Sequence, residues 1–128
     1  MQVFVTGCDG FVGHAACAAF HAAGHSVTGM DARLHGSSAW KKHEFRLESS
    51  ELLSVLDAAQ SDVLIHCAGT ASVSQSFLDP AADFRGSVLL MQAVLDAASK
   101  AKKRPLVLYP SSAAVYGNPQ SLPVPESA

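Results

Sequence analysis

Val3-Phe4-Val5-Thr6-Gly7-Cys8-Asp9-Gly10-Phe11-Val12-Gly13 is the stretch on which the fold turns. A short apolar run, three spaced glycines and then an alanine-rich segment read as strand, tight turn and helix. In such a turn Gly7 permits the sharp reversal, Gly10 lets the backbone approach a diphosphate, and Gly13 lets helix and strand pack closely. Free N–H groups at the start of the helix then face an anion, with the helix dipole favouring negative charge. A plain strand-to-helix turn whose glycines serve only the backbone has the same letters, so the remainder of the chain must decide.

The chain has 128 residues, about one domain, long enough to bury roughly two thirds of its unfolded surface. Its 48% hydrophobic and 16% charged residues are those of an ordinary globular domain. A net charge of −2 gives no field to draw it to nucleic acid or an anionic membrane. The basic cluster Lys100, Lys102, Lys103 and Arg104 falls where a long helix should end, and cations are stabilising there. No apolar run is long enough to span a bilayer, and Met1-Gln2-Val3 lacks the basic region of a signal peptide. Cys8, Cys17 and Cys67 are odd in number and show no metal-type spacing, so a reducing cytoplasm is the expected location. His21 and His25 have helical ligand spacing, but Gly24 between them ends the helix, and no metal site is expected. Neither a G-x-S-x-G elbow nor the lysine of a P-loop is present.

In chain order, Val3 to Thr6 is a strand covered on both faces. Phe11 to Ala23 is a helix, with Val12, Ala16, Ala19, Phe20 and Ala23 as its apolar face and Gly24 as its stop. Ser26 to Met30 is a second strand ending at Asp31, eighteen residues after Gly13, where a dinucleotide fold places the acid that binds the adenosine ribose. A loop over 32–42 leads to a weak third strand, His43 to Leu47. Glu48 to Ala59 reads as a helix capped near Ser49 or Ser50. Val63 to His66 is the fourth strand, followed by the small residues Cys67-Ala68-Gly69, which leave room for a flat ring. Asp79-Pro80 starts a helix running to about Lys102, its buried face formed by Phe84, Val88, Met91, Val94 or Leu95, and Ala98. Leu106 to Tyr109 is the fifth strand, with Pro110-Ser111-Ser112 at its carboxyl end. Residues 1–117 form one domain, and the proline-rich 118–128 a loop or tail.

This alternation implies a Rossmann-type, doubly wound α/β fold with a parallel sheet in the order 3-2-1-4-5. Gly7, Asp31, Cys67 to Gly69 and Ser111-Ser112 then share the carboxyl edge of the sheet, where open α/β sheets bind their ligands. That convergence favours the dinucleotide reading over a plain turn.

With these pieces in place the chain resembles the extended short-chain dehydrogenase/reductase family, in particular the NAD-dependent nucleotide-sugar epimerases and dehydratases. The matching stretches are Val5 to Gly13, Asp31, Asp62 to Gly69, and Ser111-Ser112-Ala113-Ala114-Val115-Tyr116-Gly117. The resemblance implies that backbone N–H groups of Phe11 and Val12 bind the cofactor pyrophosphate and that Asp31 favours NAD over NADP. It implies that Cys67-Ala68-Gly69 wall the cofactor, that Arg33, Ser87 and Ser111 lie among its contacts, and that Ser112 is the catalytic hydroxyl. Several positions depart from the family. Cys8 and Asp9 replace small neutral residues: Asp9 adds negative charge near two phosphates, and Cys8 reads as a passive loop residue, the alternative being a reactive thiol at the helix start. Ser87 stands where many relatives have asparagine, and Arg33, close after Asp31, leaves NADP as a second choice of cofactor.

The family's acid–base pair, Y-x-x-x-K, is missing: the residues four beyond Tyr109 and Tyr116 are Ala113 and Gln120. The expectation is therefore the front part of a longer enzyme, inactive alone and completed by a second polypeptide that brings the nucleotide-sugar chemistry. The alternative is a non-catalytic dinucleotide-binding module with a regulatory or interaction role. An apolar edge at strand five predicts self-association there or through helices, or a tail folded across it.

Overall fold

The computed structural model describes residues 1–47, 51–70 and 72–126. Five strands, β1 (Gln2–Thr6), β2 (Ser26–Asp31), β3 (Lys41–Glu44), β4 (Val63–His66) and β5 (Leu106–Leu108), form one sheet in the order β3-β2-β1-β4-β5. Every pairing is parallel, so the expected doubly wound order is the one observed. The register sets Val5 beside Gly29 on one side and Ile65 on the other. The chain reverses its direction of travel across the sheet between β1 and β4, which opens a crevice at the carboxyl ends of both.

The central strands feed two cores because successive residues point to opposite faces. Phe4, Met30 and Leu64 face helices α2 (Glu51–Ala59) and α5 (Leu90–Lys100), packing with Leu52, Leu56, Leu90, Val94 and Ala97. Val3, Val5, Val27 and Ile65 face the other way, with Cys8 and Cys17. Full burial of one such aliphatic side chain contributes roughly 1.5–3 kcal/mol. Helix α1 (Phe11–Ala22) buries Gly13 and Cys17, while Val12, Ala19 and Ala23 are exposed. The expected apolar stripe is thus rotated by about one residue, because Gly13 faces the Gly7-Cys8 turn it packs against.

The long helix expected over 79–102 is broken into pieces. Asp79 caps α4 (Pro80–Phe84) by accepting from the Ala82 N–H at 2.8 Å, and a π-helical turn over Arg85–Leu89 precedes α5. The wider turn changes the phase of the side chains, leaving Phe84, Val88, Leu89 and Leu95 exposed while Leu90, Val94, Ala97 and Ala98 take the core positions. A further short helix, α3 (Val73–Leu78), precedes α4, capped by Ser72. β3 begins two residues earlier than expected and ends before Phe45. The cap expected at Ser49 or Ser50 lies outside the described residues. After β5 only a 3-10 turn (Ala113–Tyr116) is formed, and residues 118–126 contain no helix or strand.

The basic cluster at the end of α5 has separate partners: Lys100 pairs with Asp96, and Lys103 pairs with Asp62 at 2.6 Å and donates to the Gln60 carbonyl. Among the described residues no helix is long and apolar enough to cross a membrane, and no group of three or more His, Cys, Asp or Glu is placed to hold a metal.

Candidate functional site

The glycine turn is locked by contacts only glycine allows. Gly7 has φ +71°, and a Cβ there would sit 2.6 Å from the Ala68 nitrogen. A Cβ on Gly13 would drive into the Gly7 carbonyl oxygen. The Gly7 and Cys8 N–H groups both donate to the Met30 carbonyl, at 2.8 and 3.2 Å, which fastens the turn to the end of β2. Helix α1 starts with no side-chain cap, and its His14 N–H donates to the Gly10 carbonyl. The N–H groups of Phe11, Val12 and Gly13 precede that bond, in the first helical turn where intrahelical acceptors run out. The Phe11 side chain is almost wholly exposed and Val12 half so, and neither they nor Gly13 stand on the wall of the cavity beside the turn.

A cavity of about 700 Å³ opens beside the turn. Gly7, Asp9 and Gly10 form its floor, and Asp31, Ala32, Arg33 and His35 one wall, with Arg46 and Leu47 beyond them. Asp31 is held by backbone donors: the Asp9 N–H reaches Oδ2 at 3.1 Å, and the Ala32 N–H reaches Oδ1 at 2.8 Å. The carboxylate is thereby tied to the glycine turn at the carboxyl ends of the paired strands β1 and β2.

Two departures at the turn, Asp9 and Cys8, are resolved by their surroundings, Cys8 as the passive residue expected. The Asp9 charge does not project uncompensated at the phosphate position, because Lys42 Nζ lies 2.6 and 3.0 Å from its oxygens and the His35 N–H donates at 2.6 Å. Burial would raise its carboxyl, but Lys42 and His35 outweigh it and hold the group below the ordinary carboxylate range. The Cys8 thiol is fully buried against Gly29 on the far side of the sheet, and desolvation, aided by Asp9 and Asp31, pushes its pKa up to about 12. A reactive, anion-facing thiol is excluded by that placement.

The opposite wall is Cys67, Ala68, Gly69, Thr70, Gly86 and Leu90. Thr70 is held by its hydroxyl, which donates to Asp83 Oδ1 at 2.7 Å and lies 2.9 Å from the Ser87 hydroxyl. A Cβ on Gly86 would strike Thr70 Cγ2 at 2.6 Å, so the π-helical turn packs directly on this loop. Ser87 itself is not on the cavity wall; its neighbour Gly86 is. Ser111 and Ser112 are exposed and also lie off the wall. Ser112 accepts from the Ala114 N–H at 3.2 Å and so caps the 3-10 turn. Between the two walls, Thr6 Oγ1 and His66 Nδ1 meet at 2.7 Å, fully buried, and His66 stacks on Tyr109 with ring centroids 5.9 Å apart. Desolvation holds the His66 pKa below that of free histidine.

His35, Arg46, Thr70 and Gly86 were not marked by sequence reasoning. Gly86 carried a usable signal, since a glycine inside a helical pattern costs about 1 kcal/mol against alanine and points to close packing. The others reach the cavity through loop geometry that has no local signature.

A family model described as the NAD dependent epimerase/dehydratase family matches residues 3–128. The UDP-glucose 4-epimerase of Corynebacterium glutamicum is 29% identical over 130 residues, spanning 98% of this chain and 39% of that protein. Among solved structures, the UDP-glucose-4-epimerase from Stenotrophomonas maltophila with bound NAD and formylated UDP-arabinopyranose is similar with a TM-score of 0.89 and 27% identity, covering 100% of this chain and 42% of that one. The UDP-glucose 4-epimerase from Brucella ovis in complex with NAD is similar with a TM-score of 0.84 and 28% identity, over 98% of this chain and 40% of that one. The chain thus spans about two fifths of the length of the relatives it matches. It belongs to the NAD dependent epimerase/dehydratase family.

Proposed function

We propose that these residues form the NAD-binding part of a nucleotide-sugar epimerase or dehydratase. The observation that carries the reading is the Asp9 N–H to Asp31 bond, which sets a glycine-lined helix start and a ribose-type carboxylate in one cavity. The site fits such a cofactor: Cβ atoms on Gly7 and Gly13 would destroy the cradle, and a diphosphate there meets backbone N–H groups at the start of α1. In this reading Gly7, Gly10 and Gly13 shape the turn, and the N–H groups of Phe11 and Val12 hold the pyrophosphate. Asp31 accepts from the ribose hydroxyls, with Arg33 beside it, and Cys67, Ala68 and Gly69 form the flat wall. Ser87 acts through Thr70 rather than by touching the cofactor.

Nicotinamide, when bound, supplies a reversible hydride acceptor. Ser112, with Ser111 next to it, is the residue proposed to hydrogen-bond the oxygen on the reacting sugar carbon. No Y-x-x-x-K occurs in these 128 residues, so the general base would come from elsewhere, such as a second polypeptide. That Ser111 and Ser112 stand off the cavity favours one second reading: a dinucleotide-binding module without catalysis. Residues 1–117 act as the cofactor unit and 118–128 as a tail, the bare apolar edge of β5 serving as a self-association surface. The unpaired cysteines suit a reducing cytoplasm.

Calorimetry with NAD tests the first step: saturable heat is expected, and none at millimolar cofactor would sink the reading. With cofactor bound, addition of UDP-glucose should give no epimerised product; turnover by the purified chain would show that the missing base has a substitute here.

A further inference from the structure

The Asp9–Lys42 pair differs in burial from the Lys100–Asp96 and Lys103–Asp62 pairs. Its side chains are 5% and 7% exposed, whereas Lys100–Asp96 and Lys103–Asp62 are each more than a third exposed. Surface pairs contribute little, but a charge withdrawn from water needs its partner. Lys42 spends its donors inward, two toward Asp9 and one toward the His35 carbonyl at 2.9 Å. Asp9 and His35 both line the cavity and Lys42 does not, so the ammonium lies directly behind the wall. The same wall is pinned again where the Leu34 N–H donates to Glu44 Oε2 at 2.9 Å.

We infer that the Asp9–Lys42 pair sets cofactor choice: Asp9 holds the Lys42 ammonium away from the ribose end of the cavity and so denies a 2′-phosphate its cation. The inference rests on the dinucleotide reading above. NAD presents neutral hydroxyls at that end, which Asp31 accepts from, so a sequestered cation costs it nothing. NADP presents a phosphate, which needs charge-assisted donors. Removing the Asp9 carboxylate releases Lys42 behind a wall that already carries Arg33, and two cations then flank the phosphate position. Removing Lys42 as well takes the released cation away again. Asp9 and Lys42 are thus specificity-determining through position, without touching the reacting atoms.

The test is calorimetric titration of the full chain with NAD and with NADP at fixed ionic strength, with a thermal unfolding trace for each variant. Asp9→Ser and Asp9→Asn are expected to move the ratio of the two dissociation constants toward NADP on the order of tenfold. The double variant D9S/K42M is expected to return the ratio to that of the unaltered chain. An unchanged ratio in a cooperatively folded D9N chain would overturn the inference and leave the pair a structural pin. Loss of cooperative unfolding in both Asp9 variants would overturn it in the same direction. Failure of the unaltered chain to bind either dinucleotide would instead remove the cofactor reading on which it stands.

Discussion

The two edges of the sheet are built differently. At the β3 edge the strand is polar, Lys41-Lys42-His43-Glu44, and its side chains turn back onto the molecule to close one wall of the cavity. At the β5 edge the strand is three residues long and apolar, with Leu106 62% and Leu108 43% exposed and Tyr109 beyond them at 57%. Charge on an edge strand discourages pairing with other chains, and bare leucines invite it. The wall of the cavity is therefore held by contacts within this chain, while Ser111 and Ser112 lie exposed beyond the other edge.

Substitutions in hydrogen-bonded neighbours sharpen that contrast most. Leu64 is fully buried in β4, next to the β5 strand that holds Leu106. Leu64→Ala should cost roughly 2–5 kcal/mol in urea unfolding. Leu106→Lys should change stability by no more than about 0.5 kcal/mol. It should also lower any self-association that sedimentation detects in the unaltered chain. Equal costs at the two positions would erase the distinction between interior and edge. Next in size is the turn: Gly13→Ala should destabilise by roughly 1–3 kcal/mol, because the new methyl meets the Gly7 carbonyl. A neutral result would mean the turn can shift and is not a rigid cradle.

The smallest effect concerns pH. His66 is buried with its pKa depressed by desolvation, so the unfolded chain binds the proton more readily than the folded one. Its contribution to stability is fully present above the ordinary value of 6.5 and is lost as pH falls from there through the depressed folded value. The slope in that window should not exceed about 1.4 kcal/mol per pH unit. A flat response between pH 7 and 5 in denaturant midpoints would show that His66 is hydrated.

The central sheet was legible because β1 and β4 are apolar runs bounded by glycine or small residues, which only parallel, doubly covered strands require. β3 was placed too late for the opposite reason. Lys41 to Glu44 has no apolar pattern, and Lys42 is buried against Asp9, a partner thirty-three residues away that no local window reveals. The break in the helix after Asp79 likewise depends on Gly86 meeting Thr70. α3 did carry a signal: Ser72 followed three residues later by Gln75 is a capping spacing, and the Gln75 N–H bonds the Ser72 hydroxyl at 3.4 Å. Its exposed Val73, Phe77 and Leu78 supply no buried stripe, so periodicity could not find it. Of the site, Gly7, Gly10, Asp31, Arg33 and Cys67 to Gly69 do share a cavity, whereas Phe11, Val12, Gly13, Ser87, Ser111 and Ser112 do not line it. The first group is fixed by strand ends, the second by loops and a helix phase that depend on distant contacts.

The loop that crosses from β2 to β3 ends at Trp40, whose indole lies between the rings of His14 and His21, with centroids 5.3 and 6.1 Å away. Its Nε1 is buried near Gly29 and finds no acceptor among the described residues. Trp40 is the one tryptophan in the sequence, so all indole emission comes from this loop. The molecule thus carries its own fluorophore at the far end of the segment that Asp9 and Glu44 pin. Lifting the loop off α1 would shift that emission to the red, giving an optical signal of that cavity wall's state without any added label.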